Sequence, residues 1–194
     1  MANLFAIHSV GNSLITFLRN SYPESLREDH ACTFRLLSSG ELAELGNIGT
    51  TLSLYLYRVT MNKHLRNLGQ TGDALDRNVP LAVDLHYLMT VWVNGALAEH
   101  TILSWAMRQI HLHPVMDISS LSPEAGWRSG DVVQLIPAEL SNEDIMRIWD
   151  ALEPSYRLSV SYIARVIRID ADIGPEARPV VAQQFSWTDR EAEQ

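Results

Sequence analysis

The sequence predicts an α+β domain: a mostly antiparallel or mixed sheet with long strands, flanked by three helices. Two long alternating runs predict the sheet. Leu81 to Val93 keeps Leu81, Val83, Leu85, Tyr87, Met89, Val91 and Val93 on one face without a break. Tyr156 to Ile169 places Tyr156, Leu158, Val160, Tyr162, Ala164 and Val166 inward, with Arg157, Ser159, Ser161, Arg165, Ile163 and Ile167 on the opposite face. Three stretches with apolar residues at helical spacing predict the helices.

The first helix follows from Leu4, Ile7, Val10, Leu14 and Phe17 or Leu18 on one side. Tyr22-Pro23 ends it, because a residue before proline is driven out of the helical region. From Ala31 to Leu37, Cys32, Phe34 and Leu36 alternate with Thr33 and Arg35, the pattern of a half-buried strand. Thr51 to Thr60 is apolar on both faces, with Leu52, Leu54 and Leu56 on one and Tyr55, Tyr57 and Val59 on the other. A strand covered on both sides is central. The polar stretch Asn62 to Asn78, with Gly69 and Gly72, predicts a long mobile loop of the kind that often binds.

Thirteen residues from Leu81 at ~3.3 Å each make a strand about 40 Å long, so it reaches past its domain or bends at a bulge. Ala96 to Leu112 returns to helical spacing through Leu103, Met107 and Ile110, and Pro114 closes it. Val132 to Ile136 is a short strand. Ser141 precedes Asp144 by three, a helix-start signal, and Ile145, Ile148, Trp149 and Leu152 form the stripe behind it. Residues 1–170 make one domain. After Asp170, Gly174, Pro175 and Pro179 interrupt regular structure, and residues 171–194 read as a C-terminal arm.

Composition narrows the function. The chain has 194 residues, 46% hydrophobic and 20% charged, which suits one folded domain. No apolar run approaches the ~18 residues of a membrane helix, and the start lacks the basic segment and cleavage site of a signal peptide. Fifteen Lys and Arg face 23 Asp and Glu, a net charge of -8, which argues against nucleic acid as a partner. The single cysteine, Cys32, excludes an internal disulfide and reads as a small core residue.

The chemistry-bearing residues form no established motif. His100 and His111 are eleven apart, about 16 Å along a helix axis, too far to share one ion, and His111 and His113 fall at a helix end that favours positive charge. No metal or cofactor site is expected. Asp84 and His86 share one strand face and could form an acid–base pair, or be the polar positions of an alternating strand. No nucleophile elbow, phosphate loop or dinucleotide fingerprint occurs. No catalytic residue is assigned.

Specific strings carry more than spacing does. TLSLYLYRVT (51–60), PLAVDLHYLMTVW (80–92), Glu99-His100 followed by LSWAM (103–107), LSNEDIMRIWDAL (140–152) and YRLSVSYIARV (156–166) occur in order. Together they resemble the N-terminal domain of the cap proteins of extracellular contractile injection systems, of the antifeeding-prophage and virulence-cassette type. The likeness covers about residues 1–170. It implies a fold related to phage tail terminators and a hexameric ring that closes the distal end of the inner tube and contacts the last sheath layer. It also implies assembly in the cytoplasm, incorporation into a phage-tail-like particle, and no catalytic residues.

Two expectations remain beside that resemblance. In the alternative reading, a small ligand-binding or enzymatic domain uses the Asp84/His86 face as a pocket. In the arm, Val181, Phe185 and Trp187 share one face of a short β-prone stretch that also holds Val180. These four residues are expected to form a protein interface. A lone strand is not stable in water, so the arm needs a sheet edge on its own domain, a neighbour or the sheath. The expectation is that it pairs with the sheath as an added strand, with packing back on its own domain as the alternative.

Overall fold

The computed structural model describes residues 2–44, 48–62 and 80–169, with Val166 described by its backbone alone. Chain order is α1 (Ala6–Ser21), α2 (Glu24–Asp29), β1 (Thr33–Leu37), α3 (Ser39–Ala43), β2 (Thr51–Met61), β3 (Leu81–Trp92) and α4 (Ala96–Leu112). Then come β4 (Val115–Met116), a 3-10 turn at Pro123–Ala125, β5 (Val133–Ala138), α5 (Asn142–Asp150) and β6 (Ser159–Ile169). The α+β class is as expected. Beyond the three expected helices stand two short ones, α2 and α3, of six and five residues. Such short helices carry too few turns to show a periodic stripe, and α3 is marked instead by its cap. Ser38 Oγ accepts from the Glu41 amide at 3.3 Å, and Glu41 accepts from the Ser38 amide at 2.8 Å.

The described strands form one mixed sheet in the order β1-β2-β3-β6-β5-β4. Only β1 and β2 run parallel; every other neighbouring pair is antiparallel. One face carries the main core. Val10, Leu14 and Leu18 of α1 and Ile102, Ala106 and Ile110 of α4 close over Leu52, Leu54, Leu85, Tyr87, Met89, Val91, Ala164 and Ile167. Each fully buried Leu or Ile contributes roughly 1.5–3 kcal/mol. The opposite face has a smaller core, where Trp149 of α5 and Leu42 of α3 pack on Leu37, Leu88 and Trp92. Tyr22 ends α1 with ψ 115°, as its position before Pro23 requires. Leu4 falls outside α1 and is exposed, and Met107 of α4 points to solvent while Ile102 and Ala106 take the buried positions.

A serine network fastens the 3-10 turn to α1. Ser9 Oγ donates to the Ser122 carbonyl at 2.9 Å and accepts from Trp127 Nε1 at 2.9 Å. The Ser122 amide donates to Ser13 Oγ at 2.7 Å. These buried hydroxyls are therefore satisfied. The amides of Ala2 and Asn3 complete the attachment, donating to the carbonyls of Arg168 (2.9 Å) and Ala125 (2.8 Å).

The long central strand β3 runs unbulged, and its two partners bulge around it. On β2, Leu56 pairs with Tyr87 and Arg58 with His86, so Tyr57 is an inserted residue. On β6, Ile167 pairs with Val83 and Ala164 with Leu85, so Arg165 and Val166 together oppose Asp84. Each bulge reverses the facing of the residues beyond it. This corrects two expectations: Val59 lies on the side of Leu56 rather than of Tyr55, and Ile167 is a core residue. Tyr156 and Leu158 lie before β6 and are exposed, so the expected inward row begins at Val160.

Candidate assembly surface and the Asp84–His86 cluster

Asp84 and His86 do share one face of β3, but they are not joined to each other. His86 Nε2 lies 2.9 Å from Thr60 Oγ1 across the β2–β3 ladder, and its ring meets Tyr57 edge-on at 5.9 Å. Asp84 accepts from Asn62 Nδ2 at 3.1 and 3.2 Å and stands 3.8 Å from Arg165 Nε. Burial first, then the Arg58 guanidinium and last that of Arg165, hold the imidazole pKa below its ordinary value, against an upward pull from Asp84 that ranks between the two arginines. A base that needs a carboxylate to orient it is not what this geometry supplies. The cluster closes the sheet where both bulges fall.

The other candidate residues lie apart from this cluster. His100, His111 and His113 are exposed on or just after α4, with His113 edge-on to Phe17 at 5.2 Å. No group of three His, Cys, Asp or Glu suited to a metal ion exists among the described residues. Cys32 is half-buried beside the main core, and burial lifts its thiol pKa to about 11 despite a hydrogen bond from the Leu52 amide. The arm residues Val180, Val181, Phe185 and Trp187, and the predicted loop beyond Asn62, lie outside the described residues. Asn62 itself follows β2 and is still tied to the sheet: its amide donates to the Ala82 carbonyl at 2.9 Å and its side chain is buried against Asp84.

Sequence reasoning missed one surface. A groove of about 700 Å³ opens between the start of α1 (Leu4, Ile7, His8) and the end of β1 (Leu36 to Ser39). Leu56 and Tyr87 line it too. Leu4 in its lining is exposed, and so are Val59 and Met61, which follow Leu56 on the same face of β2. The signal in the sequence was weak, because the β2 bulge hides that Val59 and Met61 follow Leu56 onto this face. Among the described residues, no helix is long and apolar enough to cross a membrane.

This is the fold of a tail-terminator-type α+β domain. The chain belongs to the family of Pvc16 N-terminal domains, which matches residues 9–183. It is similar to the sheath/tube terminator, in its extended state, of an extracellular contractile injection system (PVC): TM-score 0.58 and 18% identity over 96% of this chain and 64% of that one. It is also similar to the tube-terminating cap of the anti-feeding prophage, with TM-score 0.59 and 17% identity over 92% of this chain and 60% of that one. At such identities the likeness speaks for the fold, and this chain spans less than two thirds of either relative. No curated protein matches it by sequence.

Proposed function

We propose that this chain is a structural terminator subunit, capping the tube and sheath of a contractile phage-tail-like injection particle as part of a ring of identical subunits. The observation that carries the reading is membership of the Pvc16 N-terminal domain family over residues 9–183, joined to a fold shared with two terminators. The role is mechanical, with no reaction and no cofactor. The bonding of Asp84 and His86 supports that choice over the pocket reading, since each side chain is engaged within the sheet. A hexamer suits a tube end of matching symmetry, because head-to-tail contacts close when the rotation per subunit divides a full turn.

The test is genetic and visual. Particles are produced with the gene present, deleted, and restored, then measured by electron microscopy. Deletion should give tubes and sheaths of irregular length or ragged ends, and restoration should return uniform capped particles. Uniform, closed ends in the deletion would reject the proposal.

A further inference from the structure

The two outer edges of the sheet are treated differently. At the β4–β5 side the edge is shut. The Leu135 amide donates outward to the Pro114 carbonyl at 2.7 Å, and the next position of the same alternation is Pro137, which has no N–H to offer. At the other side β1 pairs with β2 only from Thr51 to Tyr55. The Ser38–Glu41 cap then turns the chain into α3, so β1 stops at Leu37. Below that point no described residue stands beside β2. The Asn62 amide points to β3, and by alternation those of Val59 and Met61 point away from it, to the side of β2 where no described residue pairs. Their side chains are 45% and 58% exposed and, beyond the bulge, share the face of Leu56, which lines the groove.

Among the described residues no strand pairs with this stretch of β2, and beside it lies a groove where Leu4, Ile7, Leu36 and Leu56 stand with His8, Ser38, Ser39 and Glu41. The geometry points to the chain's own C-terminal segment, Val180 to Trp187, as its occupant, laid antiparallel along Leu56 to Met61 at the open edge of β2. Length and position favour that segment. Ile169 ends the described chain opposite Leu81, at the same end of the sheet as Met61, which pairs with Val83. From β6 to the outer side of β2 is three strand spacings, about 14 Å. Residues 170–179 can span up to ~33 Å, enough to cross and turn. A strand entering there runs from the Met61 end toward Leu56, opposite to β2. Val181, Phe185 and Trp187, all on one face, then lie over the trough walled by Leu4, Ile7, Leu36 and Leu56. Strand addition supplies the backbone bonds, and the trough fixes the register.

The slot does not depend on the cap reading, and neither does its test. In a Cys32→Ser background, Val59→Cys is combined in turn with Val181→Cys, Gln183→Cys and Phe185→Cys, and the full chain is oxidised at low micromolar concentration. Leu97→Cys on α4, highly exposed, replaces Val59→Cys as the control partner. Folding is checked first by circular dichroism, and Val59 is exposed enough to tolerate the change. The expected result is an intramolecular disulfide for at least one Val59→Cys pair, seen as a faster band without dimer, and none for the Leu97→Cys pairs. Disulfide-linked dimers or ladders would overturn it in favour of a second copy as donor. No disulfide, or equal yields from the control, would overturn the slot itself. Hydrogen exchange gives a second reading: the Val59 and Met61 amides should exchange at least tenfold faster once residues 179–194 are deleted, and unchanged rates contradict the proposal.

Discussion

Asn62 holds Asp84: its side-chain nitrogen stands 3.1 Å from one carboxylate oxygen and 3.2 Å from the other, at the point where β2 leaves the sheet. The carboxylate is nearly buried, with Arg165 at 3.8 Å. Asn62→Leu fills similar space but withdraws the donor, so a nearly buried charge loses one of its partners. The expected cost is about 1–3 kcal/mol, read as a lower urea midpoint with unchanged slope. An unchanged midpoint would show that the Asn62 amide adds nothing to the carboxylate's stability.

His86 gives a pH dependence whose sign is fixed by its surroundings. Its folded pKa is depressed by burial, Arg58 and Arg165, so as pH falls through about 6.5 the unfolded chain takes a proton before the folded chain does. Stability from this group is full above pH 6.5, declines below it, and levels off once the pH is under the folded pKa. His86→Gln keeps a hydrogen-bonding side chain opposite Thr60 and removes the titration. The loss of stability between pH 7 and pH 5 should be smaller in that variant, followed by thermal melts at each pH. Equal losses would assign the pH dependence to other groups.

Trp149 anchors α5 on the second face, edge-on to Trp92 at 5.9 Å and to Tyr156 at 6.1 Å. Its Nε1 is buried without an acceptor among the described residues. Trp149→Ala should cost about 3–5 kcal/mol through the cavity it leaves. Trp149→Phe keeps an aromatic ring and discards the orphan donor, whose burial costs ~1–3 kcal/mol, so its loss should be well under that of alanine. Denaturant titrations of both variants decide this, and equal destabilisation would contradict it.

Cys32 should be slow to react. With its pKa raised to about 11, two units above the 9.0 reference, the thiolate fraction near pH 8 falls about a hundredfold. Labelling by an aromatic disulfide reagent at pH 8 should therefore accelerate by at least about tenfold on unfolding in urea. Fast labelling of the folded chain would place Cys32 in a more open setting.

Much of the fold was legible because its signals are local. Leu81 to Val93 alternates without a break since β3 has partners on both sides, and α4 matches its expected span because Ala96–Leu112 lies between Gly95 and Pro114. Ser141 caps α5 through the Asp144 amide at 3.1 Å, as its spacing foretold. The features that escaped are non-local. A bulge inserts one residue relative to a partner strand, so Val59 and Ile167 change face in a way that shows only once β2 and β6 are paired with β3. The Asp84–His86 pair was visible as a shared face, but its division between Asn62 and Thr60 depends on β2. The groove beside Leu36 and Leu56 needs three separate segments to exist at all.

A subunit that caps tube and sheath, as proposed here, has to be found at their terminus, so its place on the particle decides the matter. Intact particles carrying an epitope inserted at Leu97, exposed on α4, would be labelled with gold-conjugated antibody and imaged. A terminator subunit gives label at one end only, opposite the baseplate, on most uncontracted particles. Label along the sheath, at the baseplate, or absent from particles that retain the protein in bulk would contradict it.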